Sequence, residues 1–225
     1  MEQQREAGTL GMWVFLVTEI MFFGGMFLAY TLYRYKYPDA FAVASNHLDI
    51  KLGAVNTVVL IVSSFTMAMA VFSTQIGKRR NTIIFLVLTL VLGLTFLGIK
   101  AVEYKAKYTD HLIPGQLLPG RPFNPAVAQH GETDLHKLHL PEGVSVRHVE
   151  MFYWIYFIMT GMHALHMIIG AGILIVILMM ALRGRFSPEY HAPVEIFGLY
   201  WHFVDIIWIF LFPLLYLLGR HLGGH

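Results

Sequence analysis

Residues Met151 to Leu182 decide the fold of this chain, and they read MFYWIYFIMTGMHALHMIIGAGILIVILMMAL. The stretch of about 32 residues contains no Asp, Glu, Lys or Arg, whereas a helix that crosses a bilayer needs roughly 20 mainly apolar residues. At about 1.5 Å per residue it would form a helix about 48 Å long, so we expect it to tilt or to project beyond the hydrocarbon layer. The stretch therefore predicts an integral membrane protein.

The composition of the whole chain supports this prediction. Of its 225 residues, 56% are hydrophobic and only 13% are charged, and the mean hydropathy is +0.60. Soluble domains contain about 25% charged residues. The net charge of +2 is too small to indicate a nucleic-acid partner. The absence of cysteine excludes disulfides, thiolate metal sites and covalently attached c-type haem.

Four other segments are apolar enough to span a membrane. The sequence therefore predicts an all-α fold, a single transmembrane domain over residues 1–225 that consists of a bundle of five helices. Their predicted bounds are about 10–33, 55–76, 82–99, 151–182 and 196–218. Between them we expect an exposed loop from Tyr33 to Ala54 and a long outer loop over residues 104–150, which is rich in proline and histidine.

The orientation follows from the positions of Lys and Arg. Five helices place the N-terminal segment, the turn at 77–81 and the 183–195 loop on one side. These short segments carry Arg5, Lys78, Arg79, Arg80, Arg183 and Arg185, whereas the basic residues of the other side are spread over longer loops. Because short cytoplasmic segments are enriched in Lys and Arg, we expect the N-terminus in the cytoplasm and the C-terminus outside.

Glu19 is the outstanding polar residue within a predicted span. A charge at the bilayer centre costs about 2.5–3.5 kcal/mol or more, so such residues usually have a partner and a function. The functional interpretation is a carboxylate linked to protons or to lipid head groups. The structural alternative is a protonated glutamic acid that is hydrogen-bonded in the core, with Thr18 as a candidate partner.

Two histidines on the fourth predicted helix are candidate ligands. His163 and His166 are three residues apart, which places them near one face. Two ligands do not complete a metal or haem site, because a haem needs a facing histidine and a metal needs further His or carboxylate ligands. We therefore favour interhelical hydrogen bonds for both.

The remaining charged candidates form two groups. Glu195, His202 and Asp205 lie near one stripe of the fifth predicted helix, where they could act as a proton relay or as a structural clamp. Lys100 and Glu103, at the end of the third predicted helix, have the spacing of an ion pair within one helix.

Five motifs, one on each predicted helix, resemble those of a known family. They are Gly11-Met12-Trp13-Val14-Phe15-Leu16-Val17-Thr18-Glu19, Asn56-Thr57-Val58-Val59-Leu60, Gly93-Leu94-Thr95-Phe96 with Glu103-Tyr104, Thr160-Gly161-Met162-His163-Ala164-Leu165-His166, and Tyr200-Trp201-His202-Phe203-Val204-Asp205. In this order the chain resembles cytochrome c oxidase subunit III, in the five-helix bacterial form of this haem-copper terminal oxidase family.

The resemblance implies a non-catalytic core subunit of a proton-pumping oxidase in the aerobic respiratory chain, located in the bacterial plasma membrane. The helices would pack in two groups around a V-shaped, lipid-filled cleft, with phospholipids bound. The chain would contact oxidase subunits I and II, which hold the haem and copper, and would have no redox centre of its own. It would support the stability of subunit I, its proton supply and its access to oxygen, with Glu19 as the proton- or lipid-linked residue.

The resemblance leaves some alternatives open. The chain lacks the two extra N-terminal helices of seven-helix members, and its long loop 104–150 is a candidate contact for another respiratory complex. An accessory subunit of nitric oxide reductase is a close variant. A small transporter or proton channel would use Glu19 and the stripe on the fifth helix, and a membrane cytochrome would use the histidines as haem ligands.

Overall fold

The computed structural model describes residues 2–46, 48–109 and 145–218. Over these residues it contains six α-helices and a final π-helical turn, with no strand beyond one isolated bridge between Ser187 and Tyr190. Five of the helices are long and apolar enough to cross a membrane, so the predicted all-α membrane bundle is confirmed. The elements are α1 (Glu2–Lys36), α2 (Pro38–Asn46), α3 (Ile50–Gln75), α4 (Arg79–Thr109), α5 (Val146–Leu182), α6 (Ala192–Phe212) and the π-turn (Pro213–Leu217).

Most helices extend beyond their predicted bounds, whereas α6 ends at Phe212 and the π-turn continues to Leu217. α4 continues to Thr109 instead of ending near residue 99, and α5 begins at Val146 instead of residue 151. Hydropathy detects only the apolar part of a helix, and polar turns can continue it where their side chains find partners. The predicted loop 104–150 is therefore too long at both ends. Its central part, 110–144, and the partner contact predicted for it lie outside the described residues.

The exposed loop predicted between Tyr33 and Ala54 is wrong, because α2 occupies residues 38–46. Pro38 is the first helical residue, where a missing N–H costs nothing and a fixed φ favours the helix. The ring of Phe41 is buried, with its centroid 5.5 Å from that of Tyr30 and 5.3 Å from that of Phe152. The packing of the Phe41 ring stabilises α2, whereas Pro38 alone does not predict a helix at this position.

The chain divides into two compact units, and each long helix contributes residues to both. Of the described residues, the first unit comprises 2–23, 55–99 and 162–210, and the second comprises 24–46, 48–54, 100–109, 145–161 and 211–218.

Two tryptophans of α6 form the core of the first unit. Trp201 and Trp208 are fully buried, and the indole N–H of each donates to a hydroxyl on the antiparallel helix α3. Trp201 Nε1 lies 3.0 Å from Ser63 Oγ, and Trp208 Nε1 lies 3.1 Å from Thr57 Oγ1. A buried indole needs such a partner for its N–H. These hydrogen bonds therefore fix the register of α6 along α3.

Glycines make room for the Trp201 ring. A Cβ at Gly93 of α4 would lie 2.9 Å from Trp201 Cη2, and one at Gly170 of α5 would lie 3.1 Å from Trp201 Cζ3. Small residues allow helices in membranes to approach closely. Gly93 and Gly170 therefore allow α4 and α5 to pack directly against the indole of Trp201.

The short turns of the first unit begin with glycines in a left-handed conformation. Gly77 has φ 73° and Gly184 has φ 69°, which ends α3 and α5 respectively. The Gly184 N–H donates to Ala181 O at 3.0 Å. Arg79 caps the same helix end, with its Nε 3.2 Å from Ala181 O and its Nη2 2.5 Å from Leu182 O. The guanidinium thus satisfies carbonyls that the end of α5 leaves without a helical partner.

We expect Gly184→Ala to lower the free energy of unfolding by about 1–2 kcal/mol, because an L residue is strained in this conformation. Its Cβ would also lie 3.2 Å from Arg79 Nη1. Thermal unfolding in detergent micelles measures the effect. Gly172→Ala is the matched control, because a Cβ at this helical glycine meets nothing within 4 Å. Equal melting temperatures for the two variants would contradict the prediction.

Candidate functional site

Glu19 of α1 forms an ion pair with His166 of α5 in the first unit. Glu19 Oε2 lies 3.1 Å from His166 Nε2, and the two side chains are 18% and 12% exposed, respectively. Sequence analysis identified both residues but did not join them, because 147 positions separate them. The Thr18 hydroxyl donates to Phe15 O of its own helix, at 2.6 Å, and is not the hydrogen-bond partner of Glu19.

The contacts of the imidazole determine how many protons this pair holds. His166 Nδ1 lies 2.8 Å from Met162 O, and a carbonyl can only accept, so Nδ1 bears a proton. The contact between Nε2 and Glu19 then needs one further proton, located on the imidazole or on the carboxyl group. Both arrangements are neutral overall, which lowers the cost of placing the pair in a bilayer.

Aromatic groups hold His166 in place. The Phe23 ring packs edge-on against the imidazole, with 5.4 Å between ring centroids. The Tyr200 hydroxyl of α6 donates to the backbone carbonyl of His166 at 2.8 Å. The pair is therefore oriented by α1, α5 and α6 together.

His163 lies in a different environment from His166. Its ring is fully buried between the rings of Phe96 and Trp208, with centroid distances of 5.4 and 5.2 Å. His166 forms an interhelical hydrogen bond, with Glu19, and the His163 ring packs against two aromatic rings. In the described parts of the chain, no three His, Asp or Glu side chains come together as a potential metal site.

The residues of the stripe predicted on α6 have different partners. Glu195 is separate from His202 and Asp205. Glu195 Oε1 accepts from Gln75 Nε2 at 2.5 Å and lies 3.3 Å from His191 Nε2. His202, the next residue of this stripe, follows Glu195 by two helical turns, about 11 Å along the helix axis. Glu195 therefore does not join His202 and Asp205.

His202 and Asp205 also have different surroundings. His202 Nδ1 lies 2.6 Å from the hydroxyl oxygen of Ser64 on α3. The carboxyl group of Asp205 is buried, with the side chain of Ser64 beside it. A carboxyl group in such a place is costly in the charged form. In the described part of the chain, no direct hydrogen bond joins His202 to Asp205.

The second unit contains the predicted pair of Lys100 and Glu103. Lys100 Nζ lies 2.8 Å from Glu103 Oε2, and both side chains are 4% exposed. Lys100 also donates to the Tyr216 hydroxyl at 2.8 Å. Glu103 Oε1 accepts from the hydroxyls of Tyr156, at 2.8 Å, and Tyr216, at 2.5 Å. The ion pair is therefore confirmed, within a hydrogen-bonded network that compensates its burial.

The sequence analysis missed both tyrosines of this network. The sequence could have indicated them, because a tyrosine within an apolar helix has a hydroxyl that needs a hydrogen-bond partner when it is buried. Tyr216 lies in the π-turn that begins at Pro213, whose missing N–H interrupts the helical ladder. The turn is held by α1, since the Tyr30 hydroxyl donates to Leu214 O at 2.7 Å and Arg34 donates to the Tyr30 hydroxyl at 3.3 Å.

We expect Glu103→Gln to lower the free energy of unfolding by about 3–5 kcal/mol, because it removes the carboxylate that faces the buried Lys100 ammonium. The double variant Lys100→Met, Glu103→Gln removes both charges and should recover a large part of this loss. Unfolding of the two variants in mixed micelles measures the difference. A double variant as unstable as the single one would show that the buried charge is not the cause.

A sequence profile of the cytochrome c oxidase subunit III family matches residues 3–111 and 146–220. Quinol oxidase subunit 3 of Bacillus spizizenii is 30% identical over 228 residues, covering 100% of this chain and 94% of that protein. Cytochrome c oxidase subunit 3 of Tetraodon nigroviridis is 30% identical over 217 residues, covering 93% and 69%. The probable quinol oxidase subunit 3 of Staphylococcus haemolyticus is 27% identical over 217 residues, covering 96% and 90%.

The fold and these matches define a multi-pass membrane subunit of a haem-copper oxidase, of the quinol or cytochrome c type. The chain belongs to the cytochrome c oxidase subunit III family, as the five motifs predicted. Membership implies association with other oxidase subunits. Membership favours an oxidase subunit over the transporter and the membrane cytochrome that the sequence analysis left open.

Proposed function

We propose that this subunit assists the proton supply of its oxidase through the pair of Glu19 and His166. The observation that supports the proposal is the neutral ion pair itself, which holds one exchangeable proton between a carboxyl group and an imidazole 3.1 Å apart. A proton can be taken up by one partner and released by the other without a net charge remaining in the membrane.

The surroundings of the pair also favour proton exchange. Both side chains are partly exposed. In the most apolar stretch of α1 only 11% of the residues are buried, whereas 50% are buried in that of α6. The pair therefore lies beneath a face of α1 that lipid or another subunit would cover. Lys100 and Glu103 are also paired, but their near-complete burial makes them less suited to exchange.

We expect Glu19→Gln to slow oxidase turnover by roughly twofold or more at alkaline pH, and less at mildly acidic pH, because proton donors are scarce when pH is high. The pH profile of oxygen consumption by the purified complex measures this. Glu6→Gln is the matched control, because it removes an exposed carboxyl group from the same helix. Unchanged subunit composition shows that assembly is intact.

A lipid contact is the second candidate role for Glu19. It is favoured by the partial exposure of the carboxyl group on a helix with an uncovered apolar face. If the Glu19→Gln complex keeps the normal pH profile but retains fewer phospholipids after purification, Glu19 is a lipid contact. If both the pH profile and the phospholipid content of the Glu19→Gln complex are unchanged, Glu19 is a packing residue only.

We also propose that the partners are oxidase subunits I and II, that these hold the haem and copper, and that the complex lies in a bacterial plasma membrane with the N-terminus of this chain inside. The dense basic residues of the two short turns support this orientation. The alternative partner is a nitric oxide reductase.

Gentle extraction of the tagged chain should co-purify larger subunits together with haem bands in a reduced-minus-oxidised spectrum. The bands should vanish when the chain is isolated. Haem retained by the isolated chain would contradict the proposal that its partners hold the redox centres. Co-purification with nitric oxide reductase activity would favour the alternative.

A further inference from the structure

One imidazole holds the second short turn of the first unit, residues 183–191, to the helices beside it. His191 Nδ1 lies 2.6 Å from Pro188 O within the turn, and His191 Nε2 lies 3.3 Å from Glu195 Oε1 in the first turn of α6. The same carboxylate oxygen accepts from Gln75 Nε2 of α3 at 2.5 Å. His191 therefore lies between the turn and a contact that joins α6 to α3.

The turn also packs against the short turn that follows α3. A Cβ at Gly77 would lie 3.1 Å from Pro188 Cγ, so the Pro188 ring lies close over this glycine. Within the 183–191 turn, the rings of Phe186 and Tyr190 stack with 6.3 Å between centroids and 20° between planes. Since His191 contacts Pro188 directly, a change in the imidazole would act on the contact between the two turns.

The two nitrogens of the His191 ring both face acceptors. Pro188 O is a carbonyl and can only accept, so Nδ1 donates to it. Glu195 lies in the first turn of α6, where the helix dipole favours a negative charge, and its Oε1 already accepts from the Gln75 amide. Nε2 must then donate as well. A neutral imidazole bears one N–H and satisfies only one of these acceptors, whereas the imidazolium bears two.

We propose that His191 is a pH-sensitive latch, which holds the 183–191 turn when the imidazole is charged and releases it when the imidazole is neutral. After loss of a proton, either Nδ1 has no hydrogen for Pro188 O or Nε2 presents a lone pair to the Glu195 carboxylate. Imidazole changes charge between about pH 5 and 8, so the latch is closed at the acidic end of this range and opens as the pH rises through it. Protonation of Glu195 at much lower pH would also open it.

Other charged groups lie on the two turns and at the start of α4. They are exposed, and they comprise five cations and one carboxylate: Lys78, Arg79, Arg80, Arg183, Arg185 and Glu189. The side chain that α3 contributes to the contact, Gln75, is neutral. Because salt screens exposed charges over about 8–10 Å, the direct contact with Glu195 determines the direction of the pH effect.

Release of the turn would open a small cavity at its base. Residues of both turns, of α3 and of α4 line this cavity, among them Thr74, Thr82 and Phe186. Movement of the turn displaces Phe186 and admits water to the two threonines. In the orientation proposed above, the latch responds to the pH of the cytoplasm. It does not rest on the role proposed for Glu19, because it uses different residues.

The test measures the mobility of a nitroxide spin label on the turn, in the purified oxidase complex at constant ionic strength. Because the chain has no cysteine, Glu189→Cys, at an exposed position of the turn, provides the label site, and the complex without this change gives the background of the other subunits. Between about pH 6 and 9 the ratio of mobile to immobile label should rise by about fivefold, since an ion pair near the surface contributes up to about this factor.

Two further changes in the labelled complex distinguish the latch from simple packing. Glu195→Gln offers an amide N–H to Nε2 of the neutral imidazole, and its carbonyl oxygen still accepts from Gln75, so the turn should stay immobile at about pH 9. His191→Phe removes both hydrogen bonds, so the turn should be mobile at every pH. His148→Gln is the matched control, because it replaces a half-buried histidine at the other end of α5, and it should keep the parent's pH response.

Three results would overturn the proposal. A label whose mobility is independent of pH in the parent complex would show that the turn is not latched. Equal mobility in the Glu195→Gln and His191→Phe complexes at every pH would reduce these contacts to packing. Loss of the pH response in the His148→Gln complex would place the pH sensor elsewhere. The Glu19→Gln complex should keep the response whatever its turnover, so the latch and the role proposed for Glu19 can fail separately.

Discussion

The cost of an unpaired polar group in hydrocarbon is the constraint on which this structure depends. Lipid provides no hydrogen-bond partner, so the backbone is helical and each helix end needs its own partners. Arg79 satisfies the carbonyls at the end of α5, and Tyr30 satisfies a carbonyl in the π-turn after α6. The same constraint pairs Lys100 with Glu103 and Glu19 with His166. The contacts of Arg79, Tyr30 and Glu19 with other helices therefore help to specify which helices meet.

The two ion pairs differ in a way that bears on function. Glu103 accepts hydrogen bonds from two tyrosines and a lysine in a buried network, so its charge is held in one arrangement. Glu19 and His166 are partly exposed, and Glu19 Oε2 lies 3.1 Å from His166 Nε2. A network saturated with hydrogen bonds suits a structural contact. A partly exposed pair on a helix whose apolar face is largely uncovered fits the proposed exchange of protons with the surroundings.

Aromatic packing of α6 explains why the helices of the first unit close so tightly. Trp201 and Trp208 bury large rings and still satisfy their N–H groups on α3, while Gly93 leaves space for the Trp201 ring. His163 fits among the same rings. Its position there, and not in a ligand set with His166, follows from this packing.

The sequence by itself determined the class of fold, the five spans and the family, because apolar length and one motif per helix are local properties. It also predicted the pair of Lys100 and Glu103, since residues three apart in a helix are neighbours. Only the tertiary structure decided that Glu19 meets His166, that Tyr216 reaches Glu103, and that the stripe of Glu195, His202 and Asp205 divides. These contacts join residues far apart in sequence, and helix packing, which periodicity does not encode, determines which side chains come within hydrogen-bonding distance.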